Sequence, residues 1–137
     1  MVNFKSSIPA LPVVDIQKAI AFYESKMGFY ARHQEPSFAI LVRGEVEIHL
    51  WQACDKGWKF RSLFLFLKPI WSGAETFLAG TASCRVKVEG VDELYQEYKT
   101  QGILHEEHSV VTQQHWGHRD LATLDLYGNL ITFYQEG

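Results

Sequence analysis

The order of periodic segments predicts an α+β domain made of one unit used twice: a strand, a helix and three further strands. An apolar segment at residues 8–13 runs through Asp15 into a helical repeat that stops at Gly28. A second, at residues 84–88, runs through Val91 and Asp92 into a helical repeat that stops at Gly102. Short alternating segments follow the first repeat, as in residues 45–51, where Val46, Ile48 and Leu50 alternate with Glu47, His49 and Trp51. At 137 residues the chain has the size of a single domain. It divides into a first module of about residues 1–52, a connection of residues 53–80 and a second module of about residues 81–137.

Residues 4–13 read as extended, because Pro9 and Pro12 each lack the amide hydrogen that a helix needs. The same prolines confine that strand to a sheet edge or an exchanged arm. Asp15 then caps a helix whose apolar residues Ile16, Ala19, Ile20, Tyr23 and Met27 recur on one face. Strands follow at residues 29–34, 38–42 and 45–51, with Gly44 turning between the last two. The connection carries Trp58, Phe60, Phe64, Phe66, Trp71 and Phe77 without a sustained period, and reads as a short helix or a lid.

The second module opens at residues 82–88, with Cys84, Val86 and Val88 on one face and Ser83, Arg85 and Lys87 on the other. Val91, Leu94, Tyr95 and Tyr98 then recur at helical spacing. Strands are expected at residues 103–111 and 118–124, then a turn at residues 125–129 whose Gly128 and Asn129 tolerate positive φ, and a last strand at residues 130–134.

Composition narrows the class of function. Thirteen Lys and Arg against 16 Asp and Glu give a net charge of -3, with no basic stripe, which argues against nucleic acid as a partner. The longest apolar run, residues 63–67, ends at Lys68 and Pro69, so no membrane span is expected. Only Cys54 and Cys84 are present and no secretory pattern precedes them; the cytoplasm is the expected location.

Ile8-Pro9 leading to Val14-Asp15 and Ala21-Phe22-Tyr23, then Gly28-Phe29, then residues 91–95, Trp116-Gly117, Asp125, Gly128-Asn129-Leu130 and Phe133 form an ordered set. In these residues the chain resembles the glyoxalase/bleomycin resistance (vicinal oxygen chelate) superfamily, and within it the bleomycin resistance proteins. The resemblance implies paired βαβββ modules that curve into an open groove completed by a homodimer. It also implies where metal-dependent members carry ligands: near Ile8, at Glu47 or His49, near Ser83 and near Thr132. Ile8 has no donor atom, and Ser and Thr hydroxyls are weak ligands. A metal-free groove is therefore expected, with no catalytic residue and no cofactor.

Candidate ligand-binding residues follow from strand alternation and from the resemblance. Glu47, His49 and Trp51 share the polar face of their strand beside an apolar wall begun by Phe38; a plain solvated sheet face is the alternative. Arg85 and Lys87 should face the same groove, which departs from the acidic lining a cationic drug would favour and leaves open an anionic or neutral planar ligand. Trp116, beside the flexible Gly117, matches the tryptophan that stacks on the planar part of the drug in bleomycin resistance proteins, with a cap on the dimer core as the alternative; Thr132 lies in the last strand. His105, His108, His115 and His118 show no zinc-site spacing and read as surface histidines. The expected function is sequestration of a small aromatic or planar molecule. The alternatives are a metal-dependent lyase or dioxygenase of the same superfamily and a protein-interaction module whose lid is residues 58–77.

Overall fold

The computed structural model describes residues 1–53, 78–106 and 109–137. The aromatic connection with Trp58 and Trp71, together with Cys54 and His108, lies outside those residues. Two mixed four-stranded sheets share one strand order. The first holds β1 (Ala10–Val13), β2 (Tyr30–Glu35), β3 (Phe38–Arg43) and β4 (Val46–Gln52) in the order β1-β4-β3-β2. The second holds β5 (Ser83–Lys87), β6 (Thr112–Gln113), β7 (His118–Leu124) and β8 (Leu130–Glu136) in the order β5-β8-β7-β6. In each, the strand ahead of the helix runs parallel to the last strand and the other neighbours are antiparallel. The proline-bearing β1 sits at a sheet edge, where a missing amide hydrogen costs least.

The first helix, α1 (Ile16–Phe22), starts at Asp15, whose side chain accepts from the Lys18 amide at 3.0 Å. It does not remain α-helical to Gly28 as its periodicity suggests. Residues Tyr23–Met27 form a wider π-helical turn, closed by Gly28 in the left-handed region. The span from Asp15 to Gly28 holds one residue more than the corresponding span from Gly90 to Gly102 around α2 (Val91–Gln101). The wide turn absorbs that residue and keeps both Tyr23 and Met27 fully buried.

Alternation in the strands decides which face is core. Leu11, Val13, Ala39, Leu41, Ile48 and Leu50 of the first sheet are buried with Ile16, Ala19 and Ile20 of α1. Val86, Leu121, Ile131 and Phe133 of the second are buried with Val91 and Tyr98 of α2. Each large aliphatic side chain so removed from water stabilises by roughly 2 kcal/mol.

Among the described residues of the span 103–111, the expected strand does not form. Leu104 makes one isolated bridge to Thr123, and only Thr112 and Gln113 pair with β7. Between them Ser109 bonds back to Glu106: its hydroxyl accepts from the Glu106 amide at 2.9 Å and its own amide donates to the Glu106 carbonyl at 2.9 Å.

Two buried tyrosines lock the modules together reciprocally. Tyr23 of the first module donates to Asp125 Oδ2 at 2.9 Å in the β7–β8 turn, and Tyr98 of α2 donates to the Met27 carbonyl at 2.7 Å. Burial, reinforced by the Asp125 carboxylate, holds the Tyr23 hydroxyl well above its ordinary pKa. Asn129, fully buried, donates from Nδ2 to Pro12 O at 2.8 Å and Asp125 Oδ2 at 2.9 Å, and accepts from the Ala82 amide at 3.2 Å. That turn packs on Gly80, where an added Cβ would run into the Tyr127 carbonyl oxygen. Gly102 is also left-handed but meets nothing within 4 Å. Gly102→Ala should cost only its backbone strain, about 1 kcal/mol, whereas Gly80→Ala should cost roughly 3 kcal/mol. Equal urea midpoints for the two variants would contradict this packing.

Candidate functional site

The face of the first sheet opposite the core is set by register. Phe38 pairs with Trp51, Ile40 with His49 and Val42 with Glu47, so these six side chains share that face. The Phe38 ring meets His49 edge-on at 5.1 Å and Trp51 at 4.9 Å. Glu47 is held from two sides: Oε1 accepts from Arg32 at 2.7 Å and Oε2 lies 2.8 Å from His49 Nε2. The hydrogen bond from His49, and next that from Arg32, keep its carboxyl below the usual glutamate pKa. A folded pKa depressed in this way gives stability that is present above the unfolded glutamate value and lost as pH falls through the folded one. In an NMR pH titration, the Glu47 carboxyl should therefore titrate below the usual glutamate value. His49→Ala should raise it more than Arg32→Ala does; no movement in His49→Ala would refute the assignment.

The second sheet presents a matching face. Arg85 lies beside Thr132, and Thr132 beside Ala122; Lys87 lies beside Tyr134, and Tyr134 beside Asp120. Arg85 makes a two-pronged bond to Asp120, Nη1 to Oδ2 at 3.2 Å and Nη2 to Oδ1 at 3.0 Å, and Lys87 donates to Glu136 at 3.1 Å. The Arg85 guanidinium stands over the Tyr134 ring, 4.9 Å from its centre, and His118 stacks on the same ring at 4.6 Å with planes 15° apart. Trp116 sits in the turn between β6 and β7, half exposed, before Gly117 at φ +97°. The Gly117 amide donates to Gln114 O at 3.1 Å and the Gln114 amide to His118 O at 2.7 Å, which closes this hairpin. The Trp116 ring lies 4.7 Å from His115 and 6.3 Å from His118.

The expected site residues thus fall into groups. Phe38, Glu47, His49 and Trp51 form one cluster on the first sheet, while Arg85 and Thr132 are neighbours on the second, with Trp116 at the end of the same face. A cavity of about 1080 Å³ lies between the β3–β4 turn, β5 and α2, and Glu47, Arg85 and Lys87 reach its wall. Phe38, His49, Trp51, Trp116 and Thr132 stand outside that cavity, on the two sheet faces. The basic character expected from Arg85 and Lys87 is offset by Asp120 and Glu136, so the second sheet is not a cationic surface.

Strand alternation alone could have found Tyr134, two residues beyond Thr132 on the same face; Asp120 and Arg32 left no comparable mark. His118, read as a surface histidine, is half-buried within the ring cluster. Cys84 is partly buried, and its thiol is pushed up to about 11 by burial and then by Asp125, which keeps it protonated and unreactive. Of the four ligand positions the resemblance implies, Ile8 precedes β1 and has no donor, Glu47 and His49 lie on β4, Ser83 begins β5 and Thr132 lies on β8. Among the described residues, no three His, Cys, Asp or Glu side chains are grouped so as to hold a metal ion.

Comparison with known proteins places this geometry. Residues 8–133 match the family described as the Glyoxalase/Bleomycin resistance protein/Dioxygenase superfamily. The chain is 54% identical over 130 residues to a bleomycin resistance protein of Geobacillus stearothermophilus, and to the same degree to one of Staphylococcus aureus, covering 95% of this chain and 96% of each relative. Among solved structures, a bleomycin-binding protein complexed with bleomycin aligns with a TM-score of 0.71 at 22% identity, covering 98% of this chain and 100% of that one. The bleomycin-binding protein of Streptomyces verticillus complexed with copper(II)-bleomycin aligns with a TM-score of 0.72 at 21% identity, covering 100% and 99%. These two likenesses establish a shared fold. With a family match spanning both modules and two sheets of one strand order, the chain belongs to the Glyoxalase/Bleomycin resistance protein/Dioxygenase superfamily.

Proposed function

We propose that the chain captures bleomycin, a cationic drug with a planar part, and sequesters it unchanged in a groove completed by a second copy of the chain. The observation that carries this reading is the exposed Trp116, a flat ring set on a short turn at the end of a row of rings on the second sheet. Such a ring offers stacking area at little entropic cost. Full-length identity of 54% to bleomycin resistance proteins supports the choice of ligand. The pairing of Arg85 with Asp120 and of Lys87 with Glu136 removes the electrostatic objection to a cationic guest. In this reading Phe38, Trp51 and Thr132 supply packing, and Glu47 and His49, held in place by each other and by Arg32, supply orienting hydrogen bonds.

Dimerisation is supported by the N-terminal arm, where Val2, Phe4 and Ile8 are exposed, and by the edge positions of β1 and β5. A metal-dependent lyase or dioxygenase would need donors that Ile8 lacks and that Ser83 and Thr132 supply poorly. The test is a thermal-shift titration: bleomycin should raise the melting temperature in a concentration-dependent way, because it binds the native state. A melting temperature unmoved by excess bleomycin would refute the proposal.

A further inference from the structure

The geometry points to Arg85 as a second flat contact surface for the ligand, with Asp120 as the positioning residue that holds it flat. This inference rests on the bleomycin-binding reading and assigns a shape role where charge alone was expected. Two nitrogens on the edge of the guanidinium are taken by the Asp120 carboxylate, 3.0 and 3.2 Å away, and the Asp120 side chain is only 11% exposed. A buried carboxylate gripping that edge fixes the plane of the group and cancels its charge. Beneath it lies the Tyr134 ring at 4.9 Å, while 44% of the Arg85 side chain remains open to solvent.

His118 completes the setting. Arg85 Nη2 lies 3.3 Å from His118 Nδ1, and since a guanidinium can only donate, that nitrogen must accept, which puts the imidazole proton on Nε2. The His118 ring is thereby oriented from one side by Arg85 and by stacking on Tyr134 at 4.6 Å. Trp116, His118, Tyr134 and Arg85 then form one run of planar groups, each within 6.3 Å of the next. A charge-neutralised, planar and partly exposed guanidinium is suited to stack on an aromatic plane, and far less suited to pair with an anion.

Lysine separates shape from charge, because it keeps the cation and can still meet Asp120 but has no plane. Calorimetric titration with bleomycin should show Arg85→Lys losing roughly tenfold in affinity, as much as Arg85→Ala; the unliganded Arg85→Lys protein should melt close to wild type, while Arg85→Ala, which leaves the buried Asp120 carboxylate without a partner, should melt lower. Asp120→Asn should lose affinity as well, and its His118 ring resonances should shift in NMR spectra as the guanidinium is released. Wild-type affinity in Arg85→Lys would overturn the inference while leaving sequestration intact. Failure of the unaltered chain to bind bleomycin would overturn both.

Discussion

Replacing Asp125 by alanine is expected to lower stability by about 4 kcal/mol, a large effect for a single polar change. Its two oxygens accept four hydrogen bonds: Oδ1 from the Tyr127 and Asn129 amides, both at 2.9 Å, and Oδ2 from Tyr23 and Asn129 Nδ2, both at 2.9 Å. Alanine would strand the Tyr23 hydroxyl, the Asn129 amide and one of the two Asn129 Nδ2 hydrogens, the other staying on Pro12, in a site where Asn129 and Tyr23 have no exposed surface. Each stranded buried group costs roughly 1–3 kcal/mol. The same change would loosen the join between modules, since Tyr23 and Asn129 link Asp125 to the first helix and to β1. The exposed pair Arg119–Asp92 makes a useful contrast. Its bonds are shorter, 2.6 and 2.7 Å, yet its removal should cost little because water replaces the lost partner. Urea unfolding should show the Asp125→Ala midpoint falling far below that of Arg119→Ala; similar midpoints would mean that the buried network does not hold the modules together.

Trp116→Ala is expected to weaken bleomycin binding by roughly 2 kcal/mol or more, about thirtyfold, and to leave folding nearly untouched. The two halves of that expectation have separate causes. Half of the Trp116 surface is exposed, and its ring touches His115 and His118 rather than the buried core, so its loss opens no cavity. A ligand stacked there would cover that exposed surface, and a truncated side chain leaves no plane to stack on. Trp116→Phe should recover most of the affinity, because a smaller flat ring remains. Trp51→Ala should also bind more weakly, through the Phe38 ring it supports at 4.9 Å. Calorimetric titration of the three variants settles the order, and wild-type affinity in Trp116→Ala would remove that residue from the site.

Much of this fold was legible because its signals are local. Asp15 and Gly28 bracket the first helix, Gly44 and Gly128 mark the hairpins, and the alternation of residues 45–51 separates Ile48 and Leu50 from Glu47 and His49 with no tertiary information. What escaped the sequence depends on partners far along the chain. The π turn at Tyr23–Met27 is a response to one extra residue that must still deliver Tyr23 to Asp125, 102 positions away. Asn129 looked like a residue chosen for positive φ, yet only glycines adopt it among the described residues, and its side chain instead ties Pro12, Ala82 and Asp125 together. Arg85 and Lys87 read as a basic face because Asp120 and Glu136, which neutralise them, lie 35 and 49 residues further on. The second sheet's ring cluster was half visible for the same reason: Trp116 stood out beside Gly117, while Tyr134 and His118 acquire meaning only when β7 and β8 are paired.

The central claim is that this groove holds its guest without transforming it and without a metal of its own. The direct measurement is a calorimetric titration of chelator-treated, metal-depleted protein with bleomycin, followed by mass spectrometry of the drug released on denaturation. The account predicts saturable binding of fixed stoichiometry and recovery of the drug at its original mass. Binding that appears only when a divalent metal is restored to the protein, or a drug returned with an altered mass, would contradict it.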